Sequence, residues 1–203
     1  MTKITHLFFD LGGVCLTNGW DHISREKAAA LFNYNYQESD ERHKQVIEKF
    51  ETGKISREDY LNEVVFYKKR DFSRAEFIEF MESQSQIHQS SINVLKKLCS
   101  QSNYHISALN NESLELNLFR IEKFGLKRYF SNFFSSSFLG VKKPESPIFQ
   151  KVLLITQTIG EQCLMIDDRE ENVEGAAKCG FQTLHLPQVD DLEKLLKEMG
   201  ILQ

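Results

Sequence analysis

Residues 7 to 14 read Leu7-Phe8-Phe9-Asp10-Leu11-Gly12-Gly13-Val14, an apolar run that stops at a carboxylate and passes into a glycine pair. With no polar alternation, Leu7-Phe8-Phe9 reads as a strand buried on both faces, the kind found in parallel sheets under helices. In open α/β sheets the ligand crevice lies outside the carboxyl ends of the strands. An acid at that end, followed by glycines that let the backbone turn sharply and approach a ligand, marks a candidate site. An Asp that merely starts a turn or caps a helix is the plainer reading.

A second apolar run, Leu164-Met165-Ile166, ends in the pair Asp167-Asp168 and is followed by a helix-like segment. Two strands that each end in acid imply one shared crevice. If the strands are neighbours, Asp10, Asp167 and Asp168 converge and repel one another in a partly dry site. Something cationic is then required between them. The chain offers Lys142 and Lys143 just before Pro144, and Mg²⁺ is the natural hard ion for a set of carboxylate oxygens.

The rest of the chain fits this frame. A first strand over about 4–10 is followed by helix-forming segments at 21–32, 40–51, 56–68 and 73–82. Ser56 with Asp59, and Ser73 with Glu76, have capping-box spacing, and Gly53 closes the helix before Ser56. After residue 87 helices (91–99, 113–124, 146–155, 172–179, 190–199) alternate with strands (104–109, 130–135, 163–166, 181–184). Such alternation predicts a parallel sheet wrapped on both faces with right-handed crossovers. An all-helical block between one strand and this series has no place in the sheet layer, so it is expected to cover the strand ends. The expectation is an α/β protein: a doubly wound, Rossmann-like parallel-sheet core from residues 1–16 and 87–203, with a small helical cap at 17–86.

Composition narrows the function. A chain of 203 residues with formal net charge −4 and no basic tract does not suit nucleic acid or an anionic membrane. No apolar stretch approaches the roughly 20 residues that span a bilayer. The start, Met1 to Thr5, lacks the pattern of a secretory signal. Cys15, Cys99, Cys163 and Cys179 show no Cys-x-x-Cys spacing and read as thiols in a reducing cytoplasm. The 16 phenylalanines read as core packing. Oligomeric state is read as a monomer or a small homo-oligomer.

Taken in order, Asp10-Leu-Gly-Gly-Val14, Ala108-Leu-Asn-Asn-Glu112, Gly140-Val-Lys-Lys-Pro144 and Ile166-Asp-Asp-Arg-Glu-Glu-Asn-Val173 resemble the four motifs of the haloacid dehalogenase superfamily of hydrolases. The resemblance covers essentially the whole chain. It is strongest to the phosphatase-like group with a helical cap after the first motif, which includes sugar-phosphate phosphatases and the phosphatase domain of soluble epoxide hydrolases. It implies that Asp10 is the nucleophile, forming an aspartyl-phosphate, and that Lys143 is the fixed positive charge. It also implies Mg²⁺ on Asp10, the Gly12 carbonyl and Asp168, with Asp167 supporting directly or through water. Asn110 stands where the family usually carries Ser or Thr; its side chain and the Asn111 amide would donate to the phosphoryl group. An Asx-type turn explains the two Asn residues equally well. Lys142 reads as an exposed loop residue and Glu112 as first-turn helix charge.

Gly12 is the main departure. Phosphatases of this group commonly carry a second Asp there as general acid and base, and such a group is worth on the order of 10²–10⁴ in rate. His22 is one unranked substitute. Asn18, Trp20 and Asp21, at the entry to the helical block, read as pocket residues or simply as a helix start. The leading expectation is thus a Mg²⁺-dependent phosphatase acting on a small phosphorylated metabolite, sugar phosphates among them. A catalytically silent module that binds a phosphorylated ligand is the alternative from another class. A metal-independent haloacid dehalogenase is disfavoured by the extra acid at Asp167-Asp168.

Overall fold

A computed structural model describes residues 3–203; Met1 and Thr2, which the sequence reading assigns to the core and to the signal-free start, lie outside the described residues. Five parallel strands, β1 (His6–Phe9), β2 (His105–Asn110), β3 (Asn132–Ser135), β4 (Cys163–Asp167) and β5 (Gln182–His185), form one sheet in the order β3-β2-β1-β4-β5. β1 is central, with Phe9 opposite Ala108 on one side and Ile166 on the other. That register brings the Asp10 end of β1 beside the Asp167 end of β4.

The unalternated Leu7-Phe8-Phe9 has its predicted cause. Leu7 and Phe9 join one apolar cluster with Leu95 and Leu98 of α5 (Gln89–Gln101) and Leu192 and Leu196 of α10 (Leu192–Glu198). Phe8 points the other way, into a cluster with Phe149 and Val152 of α8 (Ser146–Thr156) and Ala176 of α9 (Glu170–Lys178). Helices therefore cover both faces, and successive residues of β1 face opposite layers. The remaining core helices are α6 (Leu114–Lys123) and the single turn α7 (Ser136–Leu139).

Between β1 and α5 lie α1 (His22–Leu31), α2 (Tyr36–Glu51), α3 (Arg57–Val64) and α4 (Arg74–Ser83). They build a third apolar cluster around Phe50, Tyr60, Phe77 and Met81, to which Leu116 of α6 adds. Both expected capping boxes are present, at Ser56/Asp59 and Ser73/Glu76. Two helix boundaries differ from the sequence reading by a full turn, the start of α2 and the end of α3. α2 starts at Tyr36 because the Asn35 side chain accepts from Glu38 N. α3 stops at Val64, where the freed Val65 carbonyl accepts from Arg70 Nε at 2.7 Å.

The chain leaves and re-enters the core through two adjacent segments. Thr17 N donates to Gln86 O at 2.8 Å, and Thr17 Oγ1 both donates to Gln84 O and accepts from Gln86 N at 2.9 Å. Buried Arg120 of α6 fixes this stalk by donating to Thr17 O at 2.7 Å.

Candidate active site at the strand ends

Asp10 follows β1 directly, its N–H bonded to Ile166 O at 2.9 Å. The glycine turn behind it returns at once, with Gly13 N donating to Leu16 O at 2.7 Å. Gly13 has φ +76°, and a Cβ on it would sit 2.2 Å from Asp168 Oδ2. Glycine is needed there on both counts: backbone conformation and close approach to the acid.

Asp10, Asp167 and Asp168 each offer an oxygen within 4.8 Å of the others. Lys143 lies among them, 2 % exposed. Its Nζ is 3.0 Å from Asp10 Oδ1, 2.6 Å from Asp167 Oδ2 and 2.8 Å from Leu109 O. Three donors meet three acceptors, so the ammonium is fully used. Asp167 is equally committed: its Oδ1 accepts from Arg169 N at 3.0 Å, and Asn172 Nδ2 reaches both of its oxygens at 3.0 and 3.1 Å. Asp168 differs, since its Oδ1 is buried with no hydrogen-bond partner. An orphaned carboxylate oxygen beside a second acid costs free energy unless a cation or donor reaches it. This all-oxygen set fits a hard divalent ion held by two carboxylates plus water.

Electrostatics agree. Burial, before any other cause, pushes the Asp10 carboxyl up to about 7; Asp167 and Asp168 push the same way, and Lys143 opposes them. Asp168 is also raised, by burial first and Asp167 second. Lys143 is held above its ordinary value: burial opposes its charge, but Asp10 and Asp167 outweigh it. The Cys15 thiol, buried and near Asp10, is pushed far up and is inert as a nucleophile.

The second motif sits differently from a direct donor pair. The Asn110 side chain, 2 % exposed, donates to Asn117 Oδ1 at 3.1 Å and does not line the cavity. Asn111 lines it, and its side chain clamps the main chain of Lys143, accepting from Lys143 N and donating to Lys143 O, each at 2.9 Å. Glu112, read from sequence as helix charge, is a buried partner of Arg120 at 2.8 Å. Lys142 is no free loop residue either: it pairs with Glu51 at the end of α2, at 3.4 Å.

A cavity of about 570 Å³ opens over these groups. Asp10, Lys143, Asp168 and Asn172 form its floor; Trp20, His43, Ile47 and Phe50 stand on the helical side. Asn18, Asp21 and His22 also line it. Gly12 has no side chain, and the space a Cβ would take is met by Asn18 Oδ1 at 2.9 Å. His43 and Tyr60, absent from any motif, were not legible as site residues. The Trp20 indole donates to Tyr60 Oη at 2.9 Å, and Tyr60 Oη lies 2.8 Å from His43 Nδ1. An indole N–H only donates, so the phenol accepts from Trp20. If its own proton goes to His43 Nδ1, the indole N–H, the phenol and Nδ1 are all satisfied. The other tautomer strands a buried hydroxyl proton, at about 1–3 kcal/mol. His43 therefore carries its proton on Nε2.

The haloacid dehalogenase-like hydrolase family model matches residues 4–180, and the chain belongs to that family of hydrolases. A protein named as a chloroplast flavin mononucleotide hydrolase of Arabidopsis thaliana is 29% identical over 160 residues, 79% of this chain. The match spans 64% of that relative's own length, under two thirds. Among solved structures, a haloacid dehalogenase family enzyme of Bacteroides thetaiotaomicron superposes with TM-score 0.82 at 20% identity, covering 96% of this chain and 99% of that one. A structure of the same enzyme in complex with magnesium and inorganic phosphate has TM-score 0.76 at 21% identity, covering 90% of this chain and 93% of that one. A predicted hydrolase of the same family from Porphyromonas gingivalis gives TM-score 0.80 at 20% identity over all of both chains. These structures show the shared fold.

Proposed function

We propose that the chain is a magnesium-dependent phosphatase that hydrolyses a small phosphorylated metabolite through an aspartyl-phosphate on Asp10. The observation that carries this reading is Asp10 held by a saturated Lys143 beside Asp168, whose Oδ1 is buried and unpaired. Lys143 fixes Asp10 Oδ1 and keeps compensating charge beside it, which leaves Oδ2 toward the cavity. That oxygen attacks phosphorus; the bond to the leaving oxygen breaks, and the alkoxide takes its proton from water. Water then cleaves the acyl phosphate and restores Asp10. Asp10 and Asp168, with Asp167 behind them and the Gly12 carbonyl that the family resemblance adds, would hold Mg²⁺, which when bound would offset phosphoryl charge and orient the ester.

Asn111 holds the Lys143 main chain in register, and its own backbone amide is the proposed donor to a phosphoryl oxygen. Asn110 ties the end of β2 to α6 through Asn117. Residues 17–86 act as the cap, their helices closing the leaving-group side of the cavity. Because Gly12 offers no acid and Asn18 fills its place with a neutral amide, turnover is slow with leaving groups that need protonation. Flavin mononucleotide joins sugar phosphates as a candidate substrate on the strength of the Arabidopsis relative. Among the described residues no helix is long and apolar enough to cross a membrane. The four thiols are free, which supports a reducing compartment such as the cytoplasm.

The test is phosphate release from phenyl phosphate, sugar phosphates and flavin mononucleotide, with Mg²⁺ and with chelator. Metal-dependent release is expected. No release from any substrate would favour the silent phospho-ligand module, the reading that Gly12 supports.

A further inference from the structure

The cavity has a polar contact on its helical side that the phosphate chemistry does not use. His43 sits in the middle of α2, 6 % exposed, and lines the cavity. Its Nδ1 is taken by Tyr60, which is fully buried and stacked on Phe50 at 4.1 Å between ring centroids, 9° apart in plane. Tyr60 is held from the other side by the Trp20 indole. The chain Trp20–Tyr60–His43 runs one way, each proton pointing toward the next acceptor, and ends at a protonated Nε2. That nitrogen has no partner among the described residues and is not among the buried atoms shut away from water. The cavity is what remains to it.

Resting on the phosphatase reading, we propose that His43 is a specificity-determining residue that donates from Nε2 to an acceptor oxygen or nitrogen of the leaving group, with Tyr60 and Trp20 as positioning residues. The groups beside it favour an amphipathic leaving group. Trp20, Ile47 and Phe50 give an apolar wall for a flat or hydrocarbon body. Burial and the nearby Arg25 guanidinium press the imidazole toward its neutral form, against the pull of Asp40. The contact is therefore a single uncharged hydrogen bond, which selects for an acceptor without demanding an anion. A site built to hydrogen-bond a substrate group rejects analogues that lack it, because its own donor is then left dry.

Steady-state kinetics with flavin mononucleotide, whose leaving group carries ring carbonyls and hydroxyls, and phenyl phosphate, whose leaving group carries no acceptor beyond the bridging oxygen, test this. His43→Leu is expected to lose about tenfold in kcat/KM on flavin mononucleotide, the size of one hydrogen bond, and nothing on phenyl phosphate. His43→Gln, with an amide N–H where Nε2 stood, recovers most of the loss. Tyr60→Phe keeps the stacked ring and raises KM for flavin mononucleotide while kcat holds. Equal losses on both substrates, no rescue by Gln, or release from phenyl phosphate alone would overturn the proposal. Failure of the wild type on both substrates would instead refute the phosphatase reading. The proposal is then decided by ¹⁵N spectra of the Asp10→Asn protein: an Nε2–H resonance of His43 that moves on adding flavin mononucleotide supports it, and an Nδ1–H tautomer or an unmoved resonance overturns it.

Discussion

Replacing Lys143 by Met removes the cation from a site built around it while nearly preserving the volume of the stem. Three acceptors lose their donor at once: Asp10 Oδ1, Asp167 Oδ2 and Leu109 O, now 3.0, 2.6 and 2.8 Å from Nζ. Two carboxylates remain in a pocket where Asp167 is fully buried and Lys143 itself is 2 % exposed. Removing one member of a buried ion pair costs about 3–5 kcal/mol, because the surviving charge is left uncompensated. Against a total stability of about 5–15 kcal/mol this is a large fraction. For a chain of this size it lowers Tm by roughly 6–20 °C, at about 2–4 °C per kcal/mol. Urea unfolding of metal-free wild type and Lys143→Met at pH 7 measures it directly, with equal m-values as the check that the denatured states match. The deficit should shrink as pH falls, since protonating the orphaned carboxylates removes the charge that Lys143 balanced. A variant within about 1 kcal/mol of wild type at pH 7 would refute the view that Lys143 holds the acids together.

Other consequences follow from the same geometry. Asp10 is raised to about 7 in the metal-free protein, and a hard cation needs its carboxylates ionised; MgCl₂ should raise Tm more at pH 8 than at pH 6, and an equal rise at both would contradict the assignment of Asp10 to the ion. His43 is pushed down to about 4, by burial first and then Arg25, with Lys44 adding to this and Asp40 opposing. The unfolded chain takes that proton at about 6.5, so the stability is fully present above 6.5 and is lost as pH falls toward 4, by up to about 3 kcal/mol. His43→Gln should flatten that part of the stability–pH curve, and an unchanged curve would count against a neutral His43. Gly13→Ala, with its Cβ 2.2 Å from Asp168 Oδ2 at φ +76°, should cost about 1–3 kcal/mol in backbone strain. It should also abolish the Mg²⁺-induced rise in Tm by displacing Asp168; a retained rise would place the ion elsewhere.

The two inner strands β1 and β4 were legible as unalternated apolar runs, with Leu7-Phe8-Phe9 buried by a helix layer on each side, whereas β2, β3 and β5, which carry polar residues, were legible from their regular alternation with helices. The acids at the strand ends were legible for the same reason: nothing in packing calls for Asp10 or Asp167 where an apolar run stops. Lys143 stood out between Gly140 and Pro144. Partnerships across distant elements were not legible. Glu112 looks like ordinary first-turn charge until α6 brings Arg120 back over it. Lys142 looks solvated until the end of α2 offers Glu51. His43 and Tyr60 lie on different helices, 17 positions apart, and become one unit only when α2 and α3 pack. Helix ends shifted where a side chain did what the pattern could not show, as with Asn35 at the start of α2 and Arg70 at the end of α3.

The proposed mechanism requires Asp10 to become covalently phosphorylated during turnover. Borohydride reduces an acyl phosphate on Asp to homoserine, so quenching the protein with substrate and Mg²⁺ into borohydride and sequencing the peptide that spans β1 tests it directly. Homoserine is expected at position 10, dependent on both substrate and metal. Phosphate release that proceeds with Asp10 unmodified, or that survives Asp10→Asn, would contradict it.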